Sequence, residues 1–113
     1  MRNTHKAITV TIASGAALSD EIILDGYELF AVQMPAAWTA AALSYQAKGT
    51  VAGALADVVL TGSEITDAVT VDQYVLLTNP VRAYSVKLRS GVTATPVNQG
   101  GARELVAMLR ALR

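Results

Sequence analysis

The amino-acid sequence predicts an all-β protein, an antiparallel β-sandwich of about eight strands. Three observations carry that prediction. Apolar and polar residues alternate in short runs, as half-buried strands require. Gly, Asp, Asn and Pro punctuate the runs at short intervals, supplying turns. Clear helical segments are not interleaved between them, which argues against a parallel sheet with crossover helices. Pattern alone leaves a jelly-roll-like and an immunoglobulin-like sandwich both open. A length of 113 residues suits one folding unit, so a single domain over 1–113 is expected, with residues 1–6 as an N-terminal arm.

In chain order, Ile8, Val10 and Ile12 alternate with Thr9 and Thr11 in a first strand that Ser14-Gly15 ends. Leu18 to Leu24 reads as a second strand, closed by Asp25-Gly26, a pair suited to positive φ. Leu29 to Met34 is apolar but for Gln33 and reads as a strand buried on both faces, stopped by Pro35. The alanine-rich stretch from Pro35 to Ala42 is expected to be a loop or a single helical turn, with Trp38 plugging one end of the core. Leu43 to Ala47 resumes as a strand with Leu43 and Tyr45 on one face, and Gly49 to Gly53 is a flexible connection. Val58 to Leu60, Ile65 to Val71 and Tyr74 to Leu77 are further strands. Their turns fall at Thr61-Gly62-Ser63, near Asp72 and at Asn79-Pro80. Tyr84 to Arg89 is the cleanest alternation, with Tyr84, Val86 and Leu88 inward and Ser85, Lys87 and Arg89 toward solvent or a partner. The C-terminus is ambiguous. Leu105, Met108, Leu109 and Leu112 lie at helical spacing among good helix formers, whereas a strand would place Leu105, Ala107, Leu109 and Ala111 on one face.

Composition narrows the function. Hydrophobic residues make up 52% of the chain, which is not the composition of a disordered segment. Much of that is Ala, with one Phe and one Trp, so the core is thin and burial against neighbours would add stability. The absence of cysteine removes disulfides, thiolate zinc sites and cysteine nucleophiles. No apolar run approaches a membrane span, and the start lacks the apolar stretch of a secretory signal, so a soluble, unprocessed protein without membrane contact is expected. Net charge is zero but polarised: residues 1–81 hold three basic against eight acidic residues, and residues 82–113 hold six against one. Either strands of opposite sign pair within the fold, or one face steers docking to an oppositely charged partner. Nucleic acid is a poor candidate for that partner, because the basic residues are scattered and no aromatic residues alternate with them.

The residues that could carry chemistry do not form a recognisable set. His5 is the sole histidine and reads as an exposed arm residue, which leaves no second imidazole for a metal and no base near a serine. No serine sits in a nucleophile elbow, and no glycine pattern cradles phosphate. Asp20, Asp25 and Glu28 could line a loop calcium site, but charges discouraging edge-to-edge pairing explain them as well. Trp38, Tyr27, Tyr45, Tyr74 and Tyr84 could form a sugar-stacking platform, although Tyr45 and Tyr84 are in phase with core positions. A non-enzymatic protein without cofactors is expected.

Three stretches together carry a resemblance. They are Ile8 to Gly15 with Leu18-Ser19, Val32 to Ala41 running into Leu43-Ser44-Tyr45-Gln46, and Val86 to Gly91 with Thr95 to Gln99. In that order they resemble small β-sandwich structural proteins of tailed bacteriophages and phage-like particles. Such proteins tend to follow the position of Gln46 with an aspartate–glycine turn and an aromatic-rich strand. Ala47 to Leu55 replaces that pattern here.

The resemblance implies a strand at the C-terminus and a virion structural protein, foremost a capsid decoration protein. A neck, tail or head-fibre component, or a carbohydrate-binding sandwich module, is the alternative. It would be assembled in the cytoplasm of a bacterial host, as a homo-oligomer contacting phage structural proteins, foremost the major capsid protein. The partner contacts expected are Arg2 and Lys6 in the arm, Lys87 and Arg89 on the outward face, and Arg110 and Arg113 at the end, acting by charge complementarity and strand addition.

Overall fold

A computed structural model describes residues 4–112. It contains ten strands and, among the described residues, no helix: β1 His5–Ile12, β2 Ile22–Ile23, β3 Tyr27–Gln33, β4 Leu43–Lys48, β5 Ala56–Asp57, β6 Val59–Leu60, β7 Ser63–Glu64, β8 Tyr74–Arg82, β9 Ser85–Ser90 and β10 Arg103–Ala111. Eight of them form two antiparallel sheets, ordered β1-β10-β3-β8 (sheet I) and β2-β9-β4-β5 (sheet II), and β6-β7 is a separate hairpin. Strand 1 pairs with 10, 2 with 9, 3 with 8 and 4 with 5. The chain thus folds as one long hairpin wrapped over two layers, which is the jelly-roll arrangement of a sandwich.

The core lies between the sheets. Val10, Ile12, Leu29, Val32, Leu105 and Leu109 of sheet I meet Ile22, Leu43, Tyr45, Val86 and Leu88 of sheet II, all nearly or fully buried. Ala107 completes the inner row of β10. This settles the C-terminus. A strand flanked by β1 on one side and β3 on the other satisfies its backbone twice over, and that tertiary pairing overrides the local helix propensity.

Several boundaries differ from the sequence reading. His5 and Lys6, read as part of an arm, belong to β1. The second run shrinks to Ile22–Ile23 with isolated bridges at Leu18 and Ser19. Ile65 to Val71 is no strand; its single bridge is Asp67 to Leu43, while the Asp67 carboxylate also binds Tyr45 and Thr78, and Ile65 and Val69 pack against the core. Asn79-Pro80 is not a turn: β8 runs through it to Arg82. Proline is tolerated because β8 is an edge strand. Its register jumps there, Leu29 facing Val81 while Ala31 faces Leu76, so β8 bulges away from its neighbour.

The turns are where glycine is required. Asp25 and Gly26 take φ of 37° and 94°, and Thr61 and Gly62 take 55° and 81° at the tip of the β6-β7 hairpin, both central residues positive as a type I′ turn needs. Gly91, at φ 88°, ends β9 where an added Cβ would lie 2.6 Å from the Thr95 carbonyl oxygen. No other residue fits there.

Candidate functional site

The registers fix which side chains share the outer face of each sheet, because directly opposed residues point the same way. On sheet I, Ile8, Val10 and Ile12 face the core, which turns the odd-numbered residues of β1 outward. Three rows then cross the sheet: His5–Arg110–Glu28–Arg82, Ala7–Met108–Ala31–Leu76 and Thr9–Val106–Gln33–Tyr74. The middle row is wholly apolar. Leu76 is 70% exposed and Tyr74 52%. Phe30, at the bulge of β3, joins this face, its ring 5.4 Å from that of His5 and 4.9 Å from the Arg110 guanidinium.

The charged row is internally matched. Glu28 is almost fully buried and accepts from Arg82 Nε at 2.9 Å and Arg110 Nε at 2.5 Å. The Arg110 hydrogen bond, then that of Arg82, holds its carboxyl below the usual carboxylate range against the opposing effect of burial.

The outer face of sheet II is polar but for Ile23 at its edge, and much of it is closed over itself. Its rows read Ser44–Arg89, Asp57–Gln46–Lys87 and Lys48–Ser85–Ile23. Arg89, expected to face a partner, is only 3% exposed. It does point outward from the sheet, but its Nε donates to Ser44 Oγ at 2.9 Å, Nη1 to Asp57 Oδ1 at 2.9 Å, and Nη2 to Glu64. The β7 residue Glu64 roofs it. Hydrogen bonding, from Thr93 first and then Arg89, holds the Asp57 carboxyl below its ordinary range. At the far end Glu21 binds Ser85 Oγ at 2.5 Å and Lys48 Nζ at 3.2 Å, and these contacts hold it low as well.

Of the six cations expected at a partner surface, Arg89 is therefore corrected to a buried ion-pair centre. Arg110 stays half-exposed but is bound to Glu28. Lys6 points to the inner side of β1, its ammonium 4.2 Å above the Tyr27 ring, and Lys87 is half-buried beside Gln46. Arg2 and Arg113 lie outside the described residues. Part of the charge split between the two regions of the chain is spent inside the fold, since Glu28, Asp57 and Glu64 each pair with an arginine from beyond residue 81.

The other candidates are also accounted for. Asp20 bonds the Thr11 backbone and Glu28 sits between two arginines, so Asp20, Asp25 and Glu28 do not converge on a cation. Tyr45 is fully buried and donates to Asp67 Oδ2 at 2.6 Å; burial, then that carboxylate, pushes its hydroxyl far above the ordinary range. Trp38 is half-buried against the core and donates Nε1–H to the Ala41 carbonyl at 3.1 Å. Beside Arg89 lies a cavity of about 510 Å³ walled by Leu18, Gln46, Pro96 and Asn98. Each guanidinium nitrogen there already has a partner, so the cation is committed to the fold.

Sequence reasoning missed the apolar row of sheet I. The signal was present: Tyr74 to Leu77 is continuously apolar yet ends beside a proline that marks an edge strand. Such a strand buries one face only, which leaves Tyr74 and Leu76 on the other. The chain matches no family model, no curated protein and no solved structure.

Proposed function

We propose that the protein is a non-enzymatic structural component of a phage or phage-like particle, a decoration subunit that adheres to the major capsid protein of the head. The observation that carries this reading is the outer face of sheet I. Along the row Ala7, Met108, Ala31 and Leu76, the two ends, Ala7 and Leu76, are exposed, Met108 is half-exposed and Ala31 is covered by its neighbours, while Tyr74 beside the row is exposed as well. Exposed apolar surface rimmed by charge is the mark of a protein contact. Half-exposed Arg110 and well-exposed Arg82 supply that rim, and an acidic edge on the shell would complement it.

The remaining polar groups support an adhesive role. Glu21, Glu28, Asp57, Glu64 and Asp67 are held by basic or hydrogen-bonding partners that stabilise the sandwich, which leaves few groups poised for general acid–base work. The glycan-binding alternative has less support. Trp38 spends its N–H on Ala41, and Tyr45 lies inside the core.

Co-sedimentation of the purified protein with undecorated heads tests the proposal. Saturable binding at low salt that weakens as salt rises is the expected result. No binding to heads, with binding to isolated necks or tails, moves the assignment to those structures. No binding to any particle component sinks it.

A further inference from the structure

A two-sheet sandwich has four edges, and three of them here are closed against strand addition. Strand β5 is two residues long and runs directly into the β6-β7 hairpin, and β2 is two residues between bridges. On β8, Asp67 Oδ1 takes the Thr78 N–H at 3.0 Å, Pro80 has no N–H, and the register jump bends the strand.

Strand β1 is different. It runs for eight residues in unbroken register with β10. Thr4 O accepts from Ala111, so even-numbered residues bond β10 and odd-numbered ones turn their backbone outward. Thr11 confirms the phase, since its outward N–H and C=O are both engaged by Asp20. That leaves Ala7 and Thr9 presenting backbone donors and acceptors beyond the edge of the sheet. The outward row of side chains, His5, Ala7, Thr9 and Thr11, contains no proline, lysine or carboxylate, and the one lysine of the strand, Lys6, turns to the other face, where its ammonium rests over the Tyr27 ring.

We infer that β1 is a self-association edge: two copies pair antiparallel through β1 about a two-fold axis at Ala7, joining both first sheets into one of eight strands. The second copy is the occupant for two reasons. In this register Ala7 faces the second copy's Ala7, so the apolar row Leu76–Ala31–Met108–Ala7 continues into its own mirror-ordered counterpart across all eight strands, and no like charges are opposed. Pairing between copies also consumes both open edges and closes the assembly, whereas a foreign strand would bring an edge of its own. The inference goes beyond adhesion to a shell and does not depend on it; loss of particle binding would leave this association untouched.

The test is sedimentation equilibrium of the whole protein, with amide hydrogen exchange read at low and high protein concentration. A dimer is expected, with exchange at Ala7 and Thr9 slowing at least tenfold as it forms. Ala7→Pro removes an N–H that the monomer does not use and sits where an edge strand tolerates proline. It is expected to weaken the dimer at least tenfold with an unchanged far-ultraviolet circular dichroism spectrum. A monomer at all concentrations overturns the inference. So does a dimer in which Ala7 and Thr9 exchange as fast as in the monomer, and that readout decides even where the proline variant fails to fold.

Discussion

On the outer face of sheet II, an arginine with 3% exposure is gripped by a serine and two carboxylates; on the outer face of sheet I, a leucine with 70% exposure touches little but water. The two faces belong to one sandwich, share one core and are built from strands of similar length. They differ in what lies above them. Sheet II is roofed by the β6-β7 hairpin and the segment around Thr93, and its polar groups bond to that roof. Among the described residues no hairpin or loop of that kind covers sheet I, and its middle row is apolar. A face whose polar groups are already satisfied adds stability; a face with unsatisfied apolar area is the one with something left to gain from a partner.

The comparison predicts its own largest effect. Arg89→Ala removes the cation that anchors the roof and leaves Asp57 and Glu64 facing each other without it. Breaking a buried pair costs about 3–5 kcal/mol. The carboxylates retain 31% and 18% side-chain exposure, so water screens part of the loss and roughly 2–3 kcal/mol is expected. Thermal unfolding should drop by about 10 °C or more, with faster hydrogen exchange across β6 and β7 than across β10. A melting temperature within a degree or two of the original would mean that the network contributes nothing, and the contrast between the faces would collapse.

Arg89 also marks where sequence stops being informative. Two-residue alternation places it outward from β9, and it is outward. Its partners, however, lie 32 and 25 residues away in chain order, on short strands whose composition gives little sign that they fold back as a cover. The core strands were legible for the opposite reason. In β1, β4 and β9, alternation of Val, Ile, Leu and Tyr with polar residues is a local record of burial, and Val86, Leu88, Leu43 and Tyr45 are buried as read, whereas Tyr84, also read as inward, precedes β9 and is only half-buried. The C-terminal strand was masked by its own propensity, since Leu, Ala, Met and Arg favour helix until β1 and β3 are there to pair with. Ion pairs such as Glu28 with Arg110 joined distant parts of the chain, so charge segregation hinted at them without naming either residue.

A second, smaller effect separates the charged row of sheet I from its apolar neighbour. The folded carboxyl of Glu28 titrates below its unfolded range, so the native state gains from its ionised form. That gain is complete above the pH of about 4 at which free carboxyls titrate, and it is lost as pH falls through the depressed folded value. Glu21 and Asp57 shift the same way and act in the same window. Stability should therefore be flat near neutrality and decline in acid. Glu28→Gln should flatten that decline and cost about 1 kcal/mol at pH 7, a modest figure because both arginines are substantially exposed. Melting temperatures from pH 3 to 7 on both proteins measure it, and an equally steep acid limb in the variant would assign the acid sensitivity elsewhere.

The smallest effect on stability carries the most weight for function. Leu76→Asp places a charge in the middle of the apolar row, opposite Ala31 and at the open side of β8. At 70% exposure the leucine has little to lose on folding, and a surface change of this kind alters stability by about 0.5 kcal/mol or less. If the row is the adhesive surface, the same substitution buries an unpaired carboxylate against the partner, a penalty that binding cannot offset. Particle binding should then fall at least tenfold while the melting temperature stays within a few degrees. Binding that survives Leu76→Asp would move the contact off sheet I, because no other change so small tests the exposed apolar row without disturbing the sandwich beneath it.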